Sequence, residues 1–105
     1  MDKILYERYK RELLEEAEKI ENAKWPAYTL WENDRLLNFK LSADRAGITK
    51  EQAWLIYFLK HIDAITSYMK DKEIHQAEPI LSRFADAINY LKLWYALINE
   101  NDENE

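Results

Sequence analysis

The chain contains no cysteine, one glycine and two prolines in 105 residues. Without cysteine there is no disulfide, no thiol nucleophile and no thiolate metal site, and a reducing cytoplasm is compatible. A turn-rich all-β fold needs more glycine and proline than this. No apolar run approaches the ~18 residues of a membrane span. The N-terminus MDKILYERYKRE alternates charge with aliphatic and aromatic residues, unlike a secretory signal. There is no Gly-rich phosphate loop, no HExxH motif and no Ser/His/Asp arrangement that spacing can place.

What is present suits one compact helical domain. Hydrophobic residues make up 48% and aromatics 13%, enough for a core in a chain this short. The net charge of −5 argues against a nucleic-acid partner. Its distribution matters more than its sum. Glu100, Asp102, Glu103 and Glu105 carry four of the negative charges, so residues 1–98 are close to neutral. A locally basic, anion-binding pocket is therefore compatible with the overall acidity.

Periodicity predicts four helices. The first covers Asp2 to Ala23, with Leu5, Tyr6, Tyr9, Leu13, Ala17 and Ile20 on one stripe and Glu16 inside it. Pro26 disfavours helix at Trp25, and KWPAYTLWEN reads as a loop laid on the body. A second helix is expected from Asp34 to Ala46, with Gly47 in the left-handed position after it. Thr49 and Gln52 form a capping box that opens the third helix, which continues to Lys70. Glu78–Pro79 opens the fourth, expected to end near Ile98. The domain is thus residues 1–98, and residues 99–105 read as a frayed acidic tail.

Two helices carry the candidate chemistry. On the third, Gln52, Lys60, Asp63, Ser67 and Lys70 share a polar arc, while Trp54, Phe58, Ile62, Ile65 and Met69 share an apolar one. His61 falls at the apolar arc, where a structural histidine is the commoner outcome. On the fourth, Ile80, Phe84, Ala87, Ile88, Leu91, Trp94, Tyr95 and Ile98 form the main apolar stripe, expected to face the core. The reverse side holds Ser82, Asp86 and Asn89 together with Tyr90, Leu93 and Leu97, so another helix or subunit should cover it. Asp86 and Asn89 then need partners, such as Lys60, Arg83 or a ligand.

Three segments, NDRLLNFK at 33–40, EQAWLIYFLKHIDAI at 51–65 and EPILSRFADAINYLKLWYALI at 78–98, together resemble a group of small phage and bacterial helical proteins. That group is similar to the MazG-like all-α nucleotide pyrophosphohydrolases. The resemblance implies a four-helix antiparallel bundle that forms homo-oligomers. It also implies carboxylates in E-E-x-x-E and E-x-x-D motifs that hold Mg²⁺ and activate water for phosphate cleavage. Asp86 matches the last Asp of the second motif, but Arg83 stands where a Glu is expected. Asp63 can stand for the last Glu of the first, but Lys60 precedes it. Lys and Arg repel a cation and pair with phosphate instead. A register shift of one turn would instead bring Asp63, Glu78 and Asp86 together with Glu16.

The resulting expectation is a cytoplasmic protein that binds a nucleotide or nucleotide-derived signal without metal and without hydrolysis, as a phage sponge for a defence signal would. Trp25, Trp31 or Tyr90 would stack a base. Lys40, Lys60 and Arg83 would meet phosphate, with His61 and Asp63 beside them. Asn38, Asp86 and Asn89 would read polar edges. A divergent Mg²⁺-dependent pyrophosphohydrolase and a structural or protein-inhibiting oligomer are the alternatives. No membrane or nucleic acid is expected as a partner.

Overall fold

The computed structural model describes residues 1–24, 34–76 and 78–103. Among them are four α-helices and no strand: α1 (Lys3–Lys24), α2 (Leu37–Ala46), α3 (Lys50–Lys70) and α4 (Ile80–Glu103). The ends follow local chemistry. Asp2 accepts from the Leu5 amide before α1. Asp34 Oδ1 accepts from the Leu36 amide in an Asx-type turn, so α2 starts at Leu37, three residues later than the periodicity suggests. Gly47 ends α2 with φ of 68°. The capping box is complete: Gln52 N–H donates to Thr49 Oγ1 and Thr49 N–H donates to Gln52 Oε1.

α1 and α3 both pack on α4 and run antiparallel to it. Ala17 and Lys24 of α1 meet Asn89 and Asp86 of α4 in that reversed order. Trp54 and His61 of α3 meet Tyr90 and Asp86 likewise. α2 lies across α3. The core gathers where α2, α3 and α4 join: Leu36, Phe39, Ala43, Ala53, Trp54 and Leu97, with Ile48, Phe58, Tyr90 and Leu93 against them. Trp54 is the largest buried side chain, and its indole N–H donates to the Tyr90 carbonyl at 2.7 Å.

The face of α4 that is buried differs from the expected one. Asp86, Asn89 and Leu97 are buried, with Tyr90 and Leu93 half-buried beside them. Phe84, Leu91, Trp94, Tyr95 and Ile98 of the main apolar stripe are exposed, and of that stripe only Ala87 is buried. The polar face is inside because its polar groups find partners there: Asn89 on the Ala17 carbonyl and Asp86 on Lys24. Small residues in the same turns, Ala17, Ala85 and Ala87, allow the helices to approach closely. Neither Lys60 nor Arg83 is the ion-pair partner of Asp86.

α4 also runs beyond Ile98 to Glu103. Glu100 is half-buried and receives Lys40 at 3.0 Å and Lys50 at 3.3 Å. Lys40 bridges on to Asp34 at 2.8 Å. Burial works to raise the Asp34 carboxyl, but the Lys40 ammonium and the Leu36 amide outweigh it and hold it below the usual carboxylate range. Lys40 is raised by Asp34 first, with Glu100 adding to it against desolvation. Glu100 thus ties the end of α4 to α2 and to the start of α3. No helix among the described residues is long and apolar enough to cross a membrane.

Candidate functional site

All four helices contribute to one cleft of about 380 Å³. α1 supplies Ile20, Glu21 and Lys24. α2 supplies Asn38, Phe39, Leu41, Ser42 and Arg45. Tyr57 comes from α3, and Asp86, Asn89, Tyr90 and Leu93 come from α4. The helical repeat explains the grouping. Asn38, Leu41, Ser42 and Arg45 are spaced i, i+3, i+4, i+7, and so are Asp86, Asn89, Tyr90 and Leu93. Each set is one arc of its helix, and the two arcs form opposing walls.

The lining has three kinds of chemistry. Phe39, Tyr57 and Tyr90 form an aromatic group, with Phe39 centred 5.9 Å from Tyr57 and 6.1 Å from Tyr90. The Tyr57 hydroxyl shares a 2.9 Å hydrogen bond with Ser42. Lys24 and Arg45 are the cations of the cleft. Lys24 is committed to Asp86, whereas Arg45 is exposed and makes no ion pair with any described residue. The amides are Asn38 and Asn89. Asn89 is 9% exposed, and its Nδ2 donates to the Ala17 carbonyl at 2.8 Å. Its Oδ1, itself fully buried, has no hydrogen-bond partner among the described residues. A buried acceptor left open is costly unless something fills it.

Asp86 links the cleft to the interior. Its Oδ1 takes Lys24 at 3.1 Å, and Oδ2 lies 3.7 Å from His61 Nδ1, too far for a hydrogen bond. His61 is buried, with its ring centred 5.0 Å from Tyr90. Burial lowers its pKa. Asp86 works the other way, while Lys24, Lys60 and Arg83 add to the lowering. His61 is therefore a neutral, structural imidazole behind the cleft at neutral pH.

Four of the nine residues expected at the site, Asn38, Asp86, Asn89 and Tyr90, line the cleft. Lys40 faces away into the Asp34–Glu100 network. Lys60 and Asp63 are exposed on α3 and His61 lies behind the wall. Arg83 is mostly covered, with Nε lacking a partner among the described residues and one guanidinium nitrogen 3.9 Å from Glu78. Trp25 and Trp31 lie outside the described residues. Arg45, Lys24 and Tyr57 were missed. The mixed arc of α2 was the available signal, because it has the same spacing as the arc of α4.

The donor set does not suit Mg²⁺. The cleft has two carboxylates, and both are ion-paired: Asp86 with Lys24, and Glu21 with Lys92 at 3.6 Å. No three carboxylates or histidines among the described residues converge on a point that could hold a metal ion, so Glu16, Asp63, Glu78 and Asp86 do not form the alternative site. No protein-family model matches the chain, and neither a curated protein nor a solved structure matches it.

Proposed function

We propose that the chain binds a nucleotide or nucleotide-derived small molecule in this cleft, holds it without hydrolysis, and does so as a cytoplasmic homo-oligomer. The carrying observation is the meeting of the amides Asn38 and Asn89, the Tyr57–Phe39–Tyr90 wall and Arg45, which ion-pairs with no described residue, in one concavity. An aromatic wall suits the flat face of a base, and a side-chain amide in the lining suits its polar edge. A guanidinium in the lining that ion-pairs with no described residue suits a phosphate. The volume is within the range of small-molecule sites. The chemistry at hand supports retention without cleavage: both carboxylates of the cleft are ion-paired with lysines, and the nearby imidazole is buried. The resemblance to small phage helical proteins supports sequestration as the biological role.

Calorimetry of the full chain against nucleoside mono- and triphosphates and cyclic dinucleotides tests this reading. Binding should survive EDTA, and chromatography should recover the ligand intact. Release of pyrophosphate in Mg²⁺, lost in Asp86→Ala, would instead establish the pyrophosphohydrolase. A panel with no heat and no thermal shift would leave the cleft without a nucleotide role.

A further inference from the structure

Asp86 is one carboxylate set between two bases. Its Oδ1 holds the Lys24 ammonium of α1 at 3.1 Å. Its Oδ2 faces His61 Nδ1 of α3 at 3.7 Å. That nitrogen is buried and has no hydrogen-bond partner among the described residues. A protonated imidazole carries an N–H on Nδ1, and the only acid facing it is Asp86. A shift of about 1 Å by either side chain would close the gap to a charge-assisted hydrogen bond.

The two bases differ in freedom. The His61 side chain is 7% exposed and that of Lys24 is 48% exposed. One carboxylate charge balances one cation. When His61 gains a proton, two cations compete for Asp86, and water receives the one that can reach it. That cation is Lys24, and Lys24 lines the cleft. Its departure leaves Asp86 paired, so no buried charge is stranded.

We propose that Asp86 exchanges Lys24 for protonated His61, and that the released Lys24 becomes a second anion contact of the cleft, together with Arg45. The inference rests on reading the cleft as an anion-binding site and adds a regulation to it. An anion that draws on Lys24 favours the same exchange, so binding takes up a proton at His61. Affinity for an anion of constant charge then rises as pH falls, by at most about tenfold per pH unit.

The groups around His61 set where the exchange occurs. Lys24 faces it from α1, and Asp86, Arg83 and Tyr90 face it from α4, with Lys60 beside it on α3. Burial and the three cations disfavour the imidazolium, and Asp86 favours it. The exchange therefore falls below the ordinary histidine value of about 6.5. At neutral pH Lys24 stays on Asp86, and of the two cations of the cleft only Arg45 is open to an anion.

NMR of the nitrogen-labelled full chain without nucleotide tests this. His75→Gln, in the exposed connection between α3 and α4, leaves His61 as the only histidine, and loss of a signal in Lys24→Arg identifies the Lys24 ammonium. From pH 7.5 to 5 the Lys24 signal should move to that of Lys60, which is exposed and ion-pairs with no described residue. Its midpoint should match that of the His61 ring. A Lys24 signal that stays in place while His61 titrates overturns the proposal. So does a His61 that takes no proton before the chain unfolds. Sulfate, whose charge is constant over this range, should raise the His61 midpoint relative to chloride at equal ionic strength, and Lys24→Met should abolish the rise. No rise in the wild type overturns the anion role of Lys24. Neither measurement uses a nucleotide, so a nucleotide panel that fails beside a positive sulfate response removes the nucleotide and leaves the exchange standing.

Discussion

Lys24 at the end of α1 places its ammonium 3.1 Å from the Asp86 carboxylate in α4, and the two differ sharply in exposure. The Lys24 side chain is 48% exposed and that of Asp86 is 4% exposed. The lysine can leave its partner for water, but the aspartate cannot. Removing only the cation strands a buried charge, which in full burial costs about 3–5 kcal/mol. Half-exposure of Lys24 weakens the pair, so Lys24→Met should cost about 1–2 kcal/mol. Adding Asp86→Asn removes the stranded charge, and the double variant should lose less than the sum of the singles in urea unfolding. Strictly additive losses would show that the pair does not couple the helices.

Under the proposed function the phosphate contact falls to Arg45 among the basic residues, since Lys40 is committed elsewhere and Lys60 is outside. Arg45→Met should weaken a phosphate-bearing ligand about tenfold, equivalent to ~1.4 kcal/mol. Lys60→Met should leave affinity unchanged. The reverse order would move the phosphate site to α3.

His61 makes stability depend on pH. Burial holds its folded pKa below the unfolded value of about 6.5, so the unfolded chain takes up the proton more readily. The contribution of neutral His61 is complete above that pH and is lost as pH falls toward the folded pKa. Its slope is at most about 1.4 kcal/mol per pH unit. Urea midpoints between pH 7.5 and 5 should fall for the wild type and stay flatter for His61→Phe. Asp34, with its lowered pKa, acts only in the more acidic carboxylate range, where its contribution is lost on protonation.

Trp54 joins α3 to α4 by its hydrogen bond to the Tyr90 carbonyl and by its tilted ring contact with Trp94, and it stacks on Phe58 of its own helix. Trp54→Phe deletes the donor and leaves a void, and should cost about 2–3 kcal/mol by thermal or urea unfolding. A loss below ~0.5 kcal/mol, the size expected of a neutral surface change, would mean that the junction is not a packed core.

Gly47 is the one described residue with positive φ, and a Cβ there would meet nothing within 4 Å. Gly47→Ala should therefore report backbone strain alone, about 1 kcal/mol, with Gly47→Asn costing less. A neutral Gly47→Ala would show that the turn after α2 relaxes.

The helices and several of their stops were legible because those signals are local. Thr49 and Gln52 cap each other across three residues, and Gly47 takes a conformation that its own backbone permits. Asp86 and Asn89 were legible as polar groups on a packed face because such residues are conspicuous in a helical repeat, and with Asn38 and Tyr90 they line the cleft. Lys60 and Arg83 were chosen by register, and register does not say which way a face points. Lys24 and Arg45 enter the cleft from helices far away in sequence, so no spacing rule links them to Asp86.

By itself, then, the sequence determined an all-helical chain, its capping chemistry and the presence of two unlike faces on α4. Which of those faces became the interior was decided only in three dimensions. Both carry enough apolar surface to be buried. The buried face is the one on which Asp86 takes Lys24 and Asn89 Nδ2 donates to the Ala17 carbonyl. Hydrophobic attraction is non-directional and does not discriminate between two greasy stripes, whereas hydrogen bonds and close approach at alanine do. That choice left Phe84, Leu91, Tyr95 and Ile98 of the main apolar stripe outside and the cleft open.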